Sequence, residues 1–362
     1  MTVTRSRGDI CLLELPNLTE PEWQAAVTFS NAMRAERYPH EQPEILEAFR
    51  ARWLNVNPIF EPFFWGYWDQ AGESLLGFAE LDIFRTDSNR HLAVTAIEVL
   101  QTHRRHGIGA RLLGEVVAGA RDAERRLLIG DSSRAIPAGE AFARRTGAQH
   151  GMDEHVVELD LAEVDRDLLE RWIERAEERA GGFELGVWEG AYAEEDLDDA
   201  VAMHEAARAI PHGDLEIESR SVTKDHLREV DRAHLRRGVT RWTVFARHRP
   251  SGEIAGFTQL RTDPSSPGRM DVGVTAVFER YQQRGLGRWL KAAITAKVLN
   301  ERPGIIRIRT GNAVGNAPMR HINEQLGFKL VDVVTGWQID VDVAQKYVAE
   351  KSKEQRGPLL NP

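Results

Sequence analysis

Hydrophobic and polar positions along the first half of the chain predict a long helix, then strands, then an amphipathic helix. The predicted elements, in order, are a helix at 20–54, strands at 63–69, 75–84 and 92–100, and a helix at 110–123. Pro58 and Pro62 end the first helix, because proline lacks the N–H donor that a helix interior needs. The turn at 70–73 makes the first two strands a hairpin.

The second half of the chain repeats this order of elements. Its predicted elements are helices at 196–210 and 224–236, strands at 242–247, 253–260 and 271–277, and then another amphipathic helix. In both halves a glycine-bearing turn joins the third strand to the helix after it, and the glycines Gly107 and Gly285 are 178 positions apart. A repeat of this kind predicts a domain duplication rather than one large domain.

The duplication sets the predicted domain boundaries. They are a first domain at 1–163, a charge-dense helical linker at 164–182, a second domain at 183–345 and a mobile tail at 346–362. The total of 362 residues agrees with two domains of ordinary size. Each half is long enough to bury a core of its own.

Composition and charge narrow the class of protein. Hydrophobic residues make up 42% of the chain and charged residues 28%, as in soluble globular proteins. The formal net charge of -9 argues against a broad basic surface for nucleic acid or anionic lipid. The single cysteine, Cys11, excludes an intrachain disulfide, and the twelve histidines lack metal-binding spacing, so no metal is expected. With neither an apolar leader nor a membrane-length apolar run, we expect a cytoplasmic protein.

The two glycine-bearing turns predict a phosphate-binding site in each half. Each turn lies between a strand and a helix, where backbone N–H groups converge at the positive end of the helix dipole. Glycines let the backbone approach an anion without an intervening Cβ, and they are Gly107, Gly109, Gly285 and Gly287. Basic side chains in the same turns add positive potential, and they are Arg104, Arg105, His106, Arg284 and Arg288.

The turns do not fit the common nucleotide-binding motifs. Neither matches G-x-x-x-x-G-K-[ST], and Leu112 and Leu290 stand where G-x-G-x-x-G needs its third glycine. A nucleoside triphosphate or a dinucleotide is therefore not the expected ligand.

Both turns resemble the signature of the N-acetyltransferase (GNAT) superfamily, Gln/Arg-x-x-Gly-x-Gly/Ala. Arg104-x-x-Gly107-x-Gly109 fits it in the first half, and Gln282-x-x-Gly285-x-Gly287 fits it in the second. The resemblance implies an α/β (α+β) fold of two tandem acyl-CoA N-acyltransferase domains, each a mixed, largely antiparallel sheet flanked by helices. It also implies acetyl-CoA as co-substrate, and the two-domain arrangement is similar to that of mycothiol synthase.

The resemblance also implies which residues contact coenzyme A. In the family the turn amides hold the pyrophosphate, and the backbone near a preceding valine, here Val99 or Val277, pairs with the pantetheine arm. An asparagine after the next strand contacts coenzyme A in the family, and Asn316 has that place in the second half. The expected set is Val99, Arg104, Arg105, His106, Gly107, Ile108, Gly109, Ala110, Val277, Gln282, Gln283, Arg284, Gly285, Leu286, Gly287, Arg288 and Asn316.

Candidate acid–base residues are unevenly shared between the halves. Glu98, in an apolar strand before the first turn, is the candidate general base, and a structural ion pair with a buried arginine is its alternative. Ala276 is its counterpart in the second half, and Asn323 stands there where the family often has a general-acid tyrosine. The second half nevertheless has the fuller cofactor motif, so the sequence favours it as the active domain.

We expect an acyl-CoA-dependent N-acyltransferase that acts on a small amine by direct transfer. Asp214, Glu216 and Glu218 lie where the family binds its acceptor and would attract a cationic amine, with plain exposed loop acids as the alternative. A non-catalytic acyl-CoA-binding module and an O-acyltransferase are the alternative functions. Nucleic acid and membrane are not expected partners, and the oligomeric state stays open.

Overall fold

A computed structural model describes residues 10–179, 181–207, 213–219 and 221–356. These residues form two compact units. The first domain comprises 10–152, 213–218 and 334–356, and the second comprises 153–179, 181–207, 219 and 221–333. No described helix is both long and apolar enough to span a membrane.

The first domain is a mixed, largely antiparallel sheet with helices on both faces. Its strands are β1 Ile10–Leu12, β2 Phe60–Trp68, β3 Leu75–Phe84, β4 Leu92–Val99, β5 Leu127–Ser133 and the 334–340 part of β12 Lys329–Asp340. Its helices are α1 Glu20–Arg37, α2 Leu46–Leu54, α3 Ile108–Asp122, α4 Pro137–Thr146 and α10 Val341–Arg356. The strands lie in the order β1-β2-β3-β4-β5-β12, and β4 and β5 are its parallel pair.

The second domain has the same plan. Its strands are the 153–160 part of β6 Gln149–Asp160, β7 Phe183–Glu189, β8 Thr240–His248, β9 Ile254–Thr262, β10 Arg269–Val277 and β11 Arg307–Ala313. Its helices are α5 Arg166–Arg179, α6 Leu197–Ala206, α7 Lys224–Arg237, α8 Leu286–Glu301 and α9 Ala317–Leu326. The strand order is β6-β11-β10-β9-β8-β7, with β10 and β11 parallel. The predicted fold class is confirmed in both domains.

Each domain takes one edge strand from the other half of the sequence. β12 pairs antiparallel with β5, from Val334 opposite Ser133 to Asp340 opposite Leu127. β6 pairs antiparallel with β11 from Asp160 opposite Arg307 onward. The predicted boundaries keep β6 in the first domain and all of β12 in the second, so the structure divides the chain differently. A strand's apolar pattern shows which face is buried but not which strand is its neighbour.

Two segments predicted to lie outside the domains belong to their cores. The predicted linker contains α5, whose Leu169 and Trp172 are buried against α8 in the second domain. The predicted mobile tail contains most of α10, whose Tyr347 and Val348 pack against the α3 side of the first domain. The tail prediction is therefore wrong for 346–356, and 357–362 lie outside the described residues.

Opposite faces of each sheet have separate apolar clusters. In the first domain, α3 and α10 cover one face, with Leu112 and Val116 fully buried, and α1 and α2 cover part of the other around Phe49. In the second domain, α5 and α8 cover one face, and α6 and α7 cover the other around Phe257. The strand before each glycine-bearing turn is therefore fixed by packing on both sides.

Candidate functional site

The two glycine-bearing turns have the same backbone conformation. Gly107 precedes α3 with φ 82° and ψ -3°, and Gly285 precedes α8 with φ 83° and ψ 0°. Two positions earlier, Arg105 and Gln283 also have positive φ, at 68° and 61°. Left-handed residues in a turn direct successive N–H groups to one side, and these turns also lie at a helix N-terminus. Both turns are therefore suited to hold phosphate.

The parallel strands beside each turn separate toward their C-terminal ends. The pairing of β4 with β5 covers 92–94 and 127–129, whereas β4 continues to Val99 and β5 to Ser133. The pairing of β10 with β11 likewise covers 269–271 and 307–309. Within the described residues these two pairs extend no further, so each domain has a gap in its sheet next to the turn.

In the first domain a cavity of about 520 Å³ opens beside the turn. Its lining includes every residue that the sequence predicts for coenzyme A in this half: Val99, Arg104, Arg105, His106, Gly107, Ile108, Gly109 and Ala110. Helix α4 contributes Phe142 and Arg145, and α10 contributes Tyr347 and Lys351. Sequence reasoning missed these four residues, and the amphipathic pattern of 341–356 was the signal that α10 is a packed helix.

The first side chain of each turn fastens the turn to the strand before it. Arg104 donates from Nε to the carbonyl of Val99 at 2.9 Å, and Gln282 donates from Nε2 to the carbonyl of Val277 at 3.2 Å. The guanidinium of Arg104 also forms an ion pair with Glu36. Its charge is therefore compensated, and Arg104 holds the turn more than it adds positive potential.

The other predicted side chains of the second domain lie around its turn. Arg284 lies over the ring of Phe183 at 5.9 Å, and Arg288 donates to Gln325 at 3.2 Å. Leu286 is buried, and Gly287 faces α9, where a side chain would place its Cβ 3.2 Å from Ile322. Asn316 caps α9 by accepting a hydrogen bond from the backbone of Met319 at 3.4 Å. The remaining two residues of the set, Gln283 and Gly285, are exposed within the turn itself.

Glu98 lies on the face of β4 opposite α3. Its neighbours Ile97 and Val99 pack on the α3 side, so alternation along the strand places Glu98 on the other face, beside the gap. Burial raises the pKa of Glu98, and the nearby carboxylate of Asp131 in β5 raises it further, partly offset by arginines. Within the described chain Glu98 has no ion-pair partner, so the alternative of a structural ion pair is not supported. Glu98 and Asp131 flank the gap from its two sides.

Two further carboxyl groups share this face with Glu98. Register places Phe78 opposite Glu98, and Glu80 and Asp82 follow along β3 on the same face. Burial, with the neighbouring charge of Asp82, raises the pKa of Glu80 to about 7. Burial raises the pKa of Asp82 to about 6. We call these three residues, Glu80, Asp82 and Glu98, the acidic face of the first domain.

The corresponding face of the second domain has no such row of acids. Phe257 is opposite Ala276 as Phe78 is opposite Glu98, so Gln259 and Arg261 take the places of Glu80 and Asp82. Gln259 donates to the hydroxyl of Tyr192 at 2.7 Å, within a buried network. The register of β10 also shifts between Val272 and Thr275, opposite this glutamine.

A glycine also replaces Asp131 in the second domain. β5 and β11 have equal length, and Gly311 is fifth in β11 as Asp131 is fifth in β5. A side chain at Gly311 would place its Cβ 2.2 Å from Oε1 of Glu154, which β6 contributes. The second gap thus has a carboxylate on one side only, and an adjacent strand supplies it.

The segment predicted to bind the acceptor in the second domain is part of the first. Glu216 forms an ion pair with Arg126, which lowers its pKa. Glu218 accepts a hydrogen bond from the backbone of Asn89 at 2.9 Å, and Leu215 packs in the apolar cluster beside β4 and β5. The prediction that these acids attract an amine to the second domain is not supported, because both carboxylates are used to hold the segment. Asp214 lies in the same segment and accepts through its backbone from Gln338.

Among the described residues, no group of three or more His, Cys, Asp or Glu side chains is arranged to hold a metal ion.

Comparison with protein families gives the same match in both halves. The family model described as "Acetyltransferase (GNAT) family" matches residues 22–138 and again 202–328, which together are more than half of the chain. No curated protein matches the chain in sequence.

Solved structures with similar folds include one described as a tandem GNAT protein. A "Tandem GNAT protein from the clavulanic acid biosynthesis pathway" is 21% identical, with a TM-score of 0.73, over 92% of this chain and 98% of that one. A "GCN5-related N-Acetyltransferase from Sphaerobacter thermophilus" is 13% identical, with a TM-score of 0.63, over 92% and 96% of the two chains. A Saccharomyces cerevisiae N-myristoyltransferase is 10% identical, with a TM-score of 0.58, over 92% and 80%. At these identities the likeness shows the fold.

Proposed function

The chain belongs to the acetyltransferase (GNAT) family, and we propose that it is an acetyl-CoA-dependent N-acetyltransferase whose first domain acetylates a small cationic amine by direct transfer. The observation that carries this proposal is the pair of carboxylates, Glu98 and Asp131, beside a gap that adjoins a phosphate-binding turn. The sequence favoured the second domain for its cofactor motif. The acid–base arrangement favours the first, and the similarity to mycothiol synthase stays a prediction.

The donor side of the reaction is assigned to the cavity of the first domain. The turn at 104–110 would hold the pyrophosphate, and the gap between β4 and β5 would admit the pantetheine arm with its thioester. The cavity lies on the α3 side and Glu98 on the other face, so the acyl group would meet the acceptor across the sheet. Orientation of the two reactants then supplies much of the acceleration.

Glu98 is assigned the role of general base. The cationic amine loses a proton to Glu98, and its neutral nitrogen forms a bond to the thioester carbonyl carbon. The C–S bond then breaks, and the nitrogen gives its second proton to the departing sulfur, so that the products are the amide and the coenzyme A thiol. The raised pKa makes Glu98 a stronger base than an ordinary carboxylate. Activity should therefore rise with pH through the pKa of Glu98.

The acidic face indicates the class of acceptor. Glu80 and Asp82 lie along the same face as Glu98, and burial raises the pKa of both, with the charge of Asp82 adding to the effect at Glu80. A cationic substrate beside them would stabilise their anionic forms. A small diamine or aminated sugar fits this chemistry better than a neutral or anionic acceptor.

A second candidate function, binding of acyl-CoA without turnover, is favoured for the second domain. Its turn has the same conformation as the first, but Ala276 and Gly311 stand where the first domain has Glu98 and Asp131. A domain of this kind would hold the cofactor as a ligand.

The proposed reaction is tested by thiol release from acetyl-CoA with a panel of amines. Cationic amines should stimulate release in the wild type, and Glu98→Gln should lower kcat by roughly 10²- to 10⁴-fold while coenzyme A affinity stays unchanged. Glu154→Gln is the matched control in the second domain and should retain turnover. Equal activity of wild type and Glu98→Gln would refute the assignment, and a panel without any stimulating amine would refute acetyl transfer to amines.

A further inference from the structure

The C-terminal helix α10 forms one wall of the cavity in the first domain. Tyr347, Lys351 and Glu354 lie one turn apart along α10, and all three line the cavity. These residues are more than 230 positions from the turn in sequence. The cavity is therefore built from both halves of the chain, and the strand exchange brings α10 to it.

Packing against α3 fixes the direction of α10. Near its start, Asp342 lies 3.4 Å from Arg121 at the end of α3, and a side chain on Gly114 would place its Cβ 3.3 Å from Val348. α10 thus runs antiparallel to α3, and its last turns reach the N-terminus of α3 where the glycine-bearing turn lies. Tyr347 packs edge to face on Phe142 of α4, with ring centroids 6.2 Å apart.

The charges around this cavity favour an anion. Besides two histidines, the arginine, lysine and glutamate residues that line it are Arg104, Arg105, Arg145, Lys351 and Glu354. Glu36 compensates Arg104, and Glu354 lies 2.6 Å from Lys351. Within the described part of the chain, Arg105 and Arg145 have no acidic partner, so the cavity keeps an excess of positive charge.

We propose that Lys351 of α10 and Arg145 of α4 form a clamp on a phosphate group of the acyl-CoA bound in the first domain. This proposal rests on the proposed function for the identity of the ligand. The turn amides hold one phosphate group at the N-terminus of α3, and coenzyme A has phosphates at two places, the pyrophosphate and the ribose 3′-phosphate. Lys351 lines the cavity from α10, and on binding it exchanges its ion pair with Glu354 for one with the ligand's phosphate.

The clamp is tested by calorimetric titration of the full chain in a Gly287→Trp background. There the new side chain, whose Cβ would lie only 3.2 Å from Ile322, should crowd the turn of the second domain and prevent coenzyme A binding at that turn. Lys351→Ala and Arg145→Ala should each weaken binding of coenzyme A about fivefold, as expected for partly exposed charged contacts. Lys353→Ala, on the same helix but exposed and outside the cavity lining, is the matched control and should leave affinity unchanged.

Two smaller ligands identify which phosphate the clamp binds. If it binds the 3′-phosphate, dephospho-coenzyme A should bind all variants equally. If it binds the pyrophosphate, dephospho-coenzyme A should lose the same fivefold as coenzyme A. Pantetheine, which lacks both groups, should bind every variant alike, and this separates the clamp from damage to the cavity.

The proposal fails if Lys351→Ala and Arg145→Ala bind coenzyme A as tightly as Lys353→Ala does. It also fails if pantetheine affinity falls in parallel, because the residues would then only support the wall. Absence of coenzyme A binding by the wild type would overturn the proposed function and the clamp together, whereas wild-type binding with unaffected variants would overturn the clamp alone. Unchanged thermal midpoints of the variants establish that they are folded.

Discussion

The two domains share the backbone conformation of the glycine-bearing turn but differ in the side chains on the opposite face of the sheet. Their turns agree to within a few degrees at Gly107 and Gly285, and both sheets open beside the turn. Across the gap, Glu98 in the first domain corresponds to Ala276 in the second. The two halves therefore agree in the backbone of the turn and differ in the side chains across the gap. Under the proposed function, the cofactor motif alone does not identify the active domain.

The largest expected effect comes from a truncation that removes elements of the first domain and leaves the second domain intact. A chain that ends at residue 333 lacks the β12 segment beside β5 and all of α10, so we expect the first domain to lose its cooperative fold while the second keeps its own. Hydrogen exchange should show loss of protection in β3 and β4 and retention in β8 and β9. Removal of 357–362 alone should change neither domain. Protection of β3 after the longer truncation would mean that the exchanged strand is dispensable.

The next largest expected effect is on the stability of the second domain and comes from a buried lysine in α8. Lys291 is 2% exposed in α8, and burial lowers its pKa to about 8, whereas Leu113 has the same place in α3. Because the unfolded chain holds this proton up to its ordinary pKa of 10.5, stability should rise with pH between about 8 and 10.5. Lys291→Leu should stabilise the second domain by about 3 kcal/mol at pH 7 and abolish this rise.

Hydrogen-exchange protection of the β8 and β9 amides, followed as a function of pH, measures the stability of the second domain by itself. Lys297→Leu is the control, because burial lowers the pKa of Lys297 but hydrogen bonds to Glu189 and Glu301 outweigh this and raise it. If the stability of the Lys291→Leu variant still rises with pH as it does in the wild type, Lys291 is not the group that causes the rise.

Valine substitutions at the two turn glycines compare the cofactor sites directly. Both glycines have φ near 83°, which a β-branched residue adopts only with strain, so Gly107→Val and Gly285→Val should each weaken coenzyme A binding in their own domain by about tenfold or more. Gly107→Val should also remove turnover, whereas Gly285→Val should leave it. Calorimetric stoichiometry with a parallel rate assay measures both, and turnover lost with Gly285→Val alone would assign catalysis to the second domain.

The smallest effect concerns the acidic face. Glu80 has a pKa of about 7, so it becomes anionic as the pH rises through 7, and KM for a cationic amine should fall over that range. Glu80→Gln should raise KM about fivefold at pH 8 and flatten its pH dependence, with little change in kcat. The matched change in the second domain, Gln259→Glu, should leave KM unaltered. An unchanged KM in Glu80→Gln would remove this residue from acceptor recognition.

The sequence predicts the repeated elements and the turns well, because these depend on local patterns. The spacing of glycines and the apolar strand before them was enough to place Gly107 and Gly285 at helix N-termini. The helix predicted at 20–54 is two helices, since residues 38–45 between them include Pro43. Periodicity marks a helical stretch but locates its interruptions poorly.

The sequence does not predict the contacts between distant parts of the chain that build the site. Nothing local distinguishes β6 from β12 as partners of β11 and β5, so the exchange of strands and the contribution of Lys351 to the cavity could not be read from the sequence. The sequence predicts that Arg104 adds positive potential for phosphate, because no local pattern shows that Glu36, 68 positions away, is its ion-pair partner. Glu98 was predicted correctly as a carboxylate with a raised pKa, because an acid in an apolar strand has a local signature.

The exchanged strand also sets the order in which the chain completes its domains during synthesis. The second domain has all its residues once 333 has left the ribosome, but the first, which is begun earlier, waits for β12 and α10. At ribosomal speeds of roughly 5–20 residues per second, the edge of β5 stays without its final partner for about 10–40 s. The domain translated first is therefore finished last, and its open edge is the point at which a chaperone would protect the nascent chain.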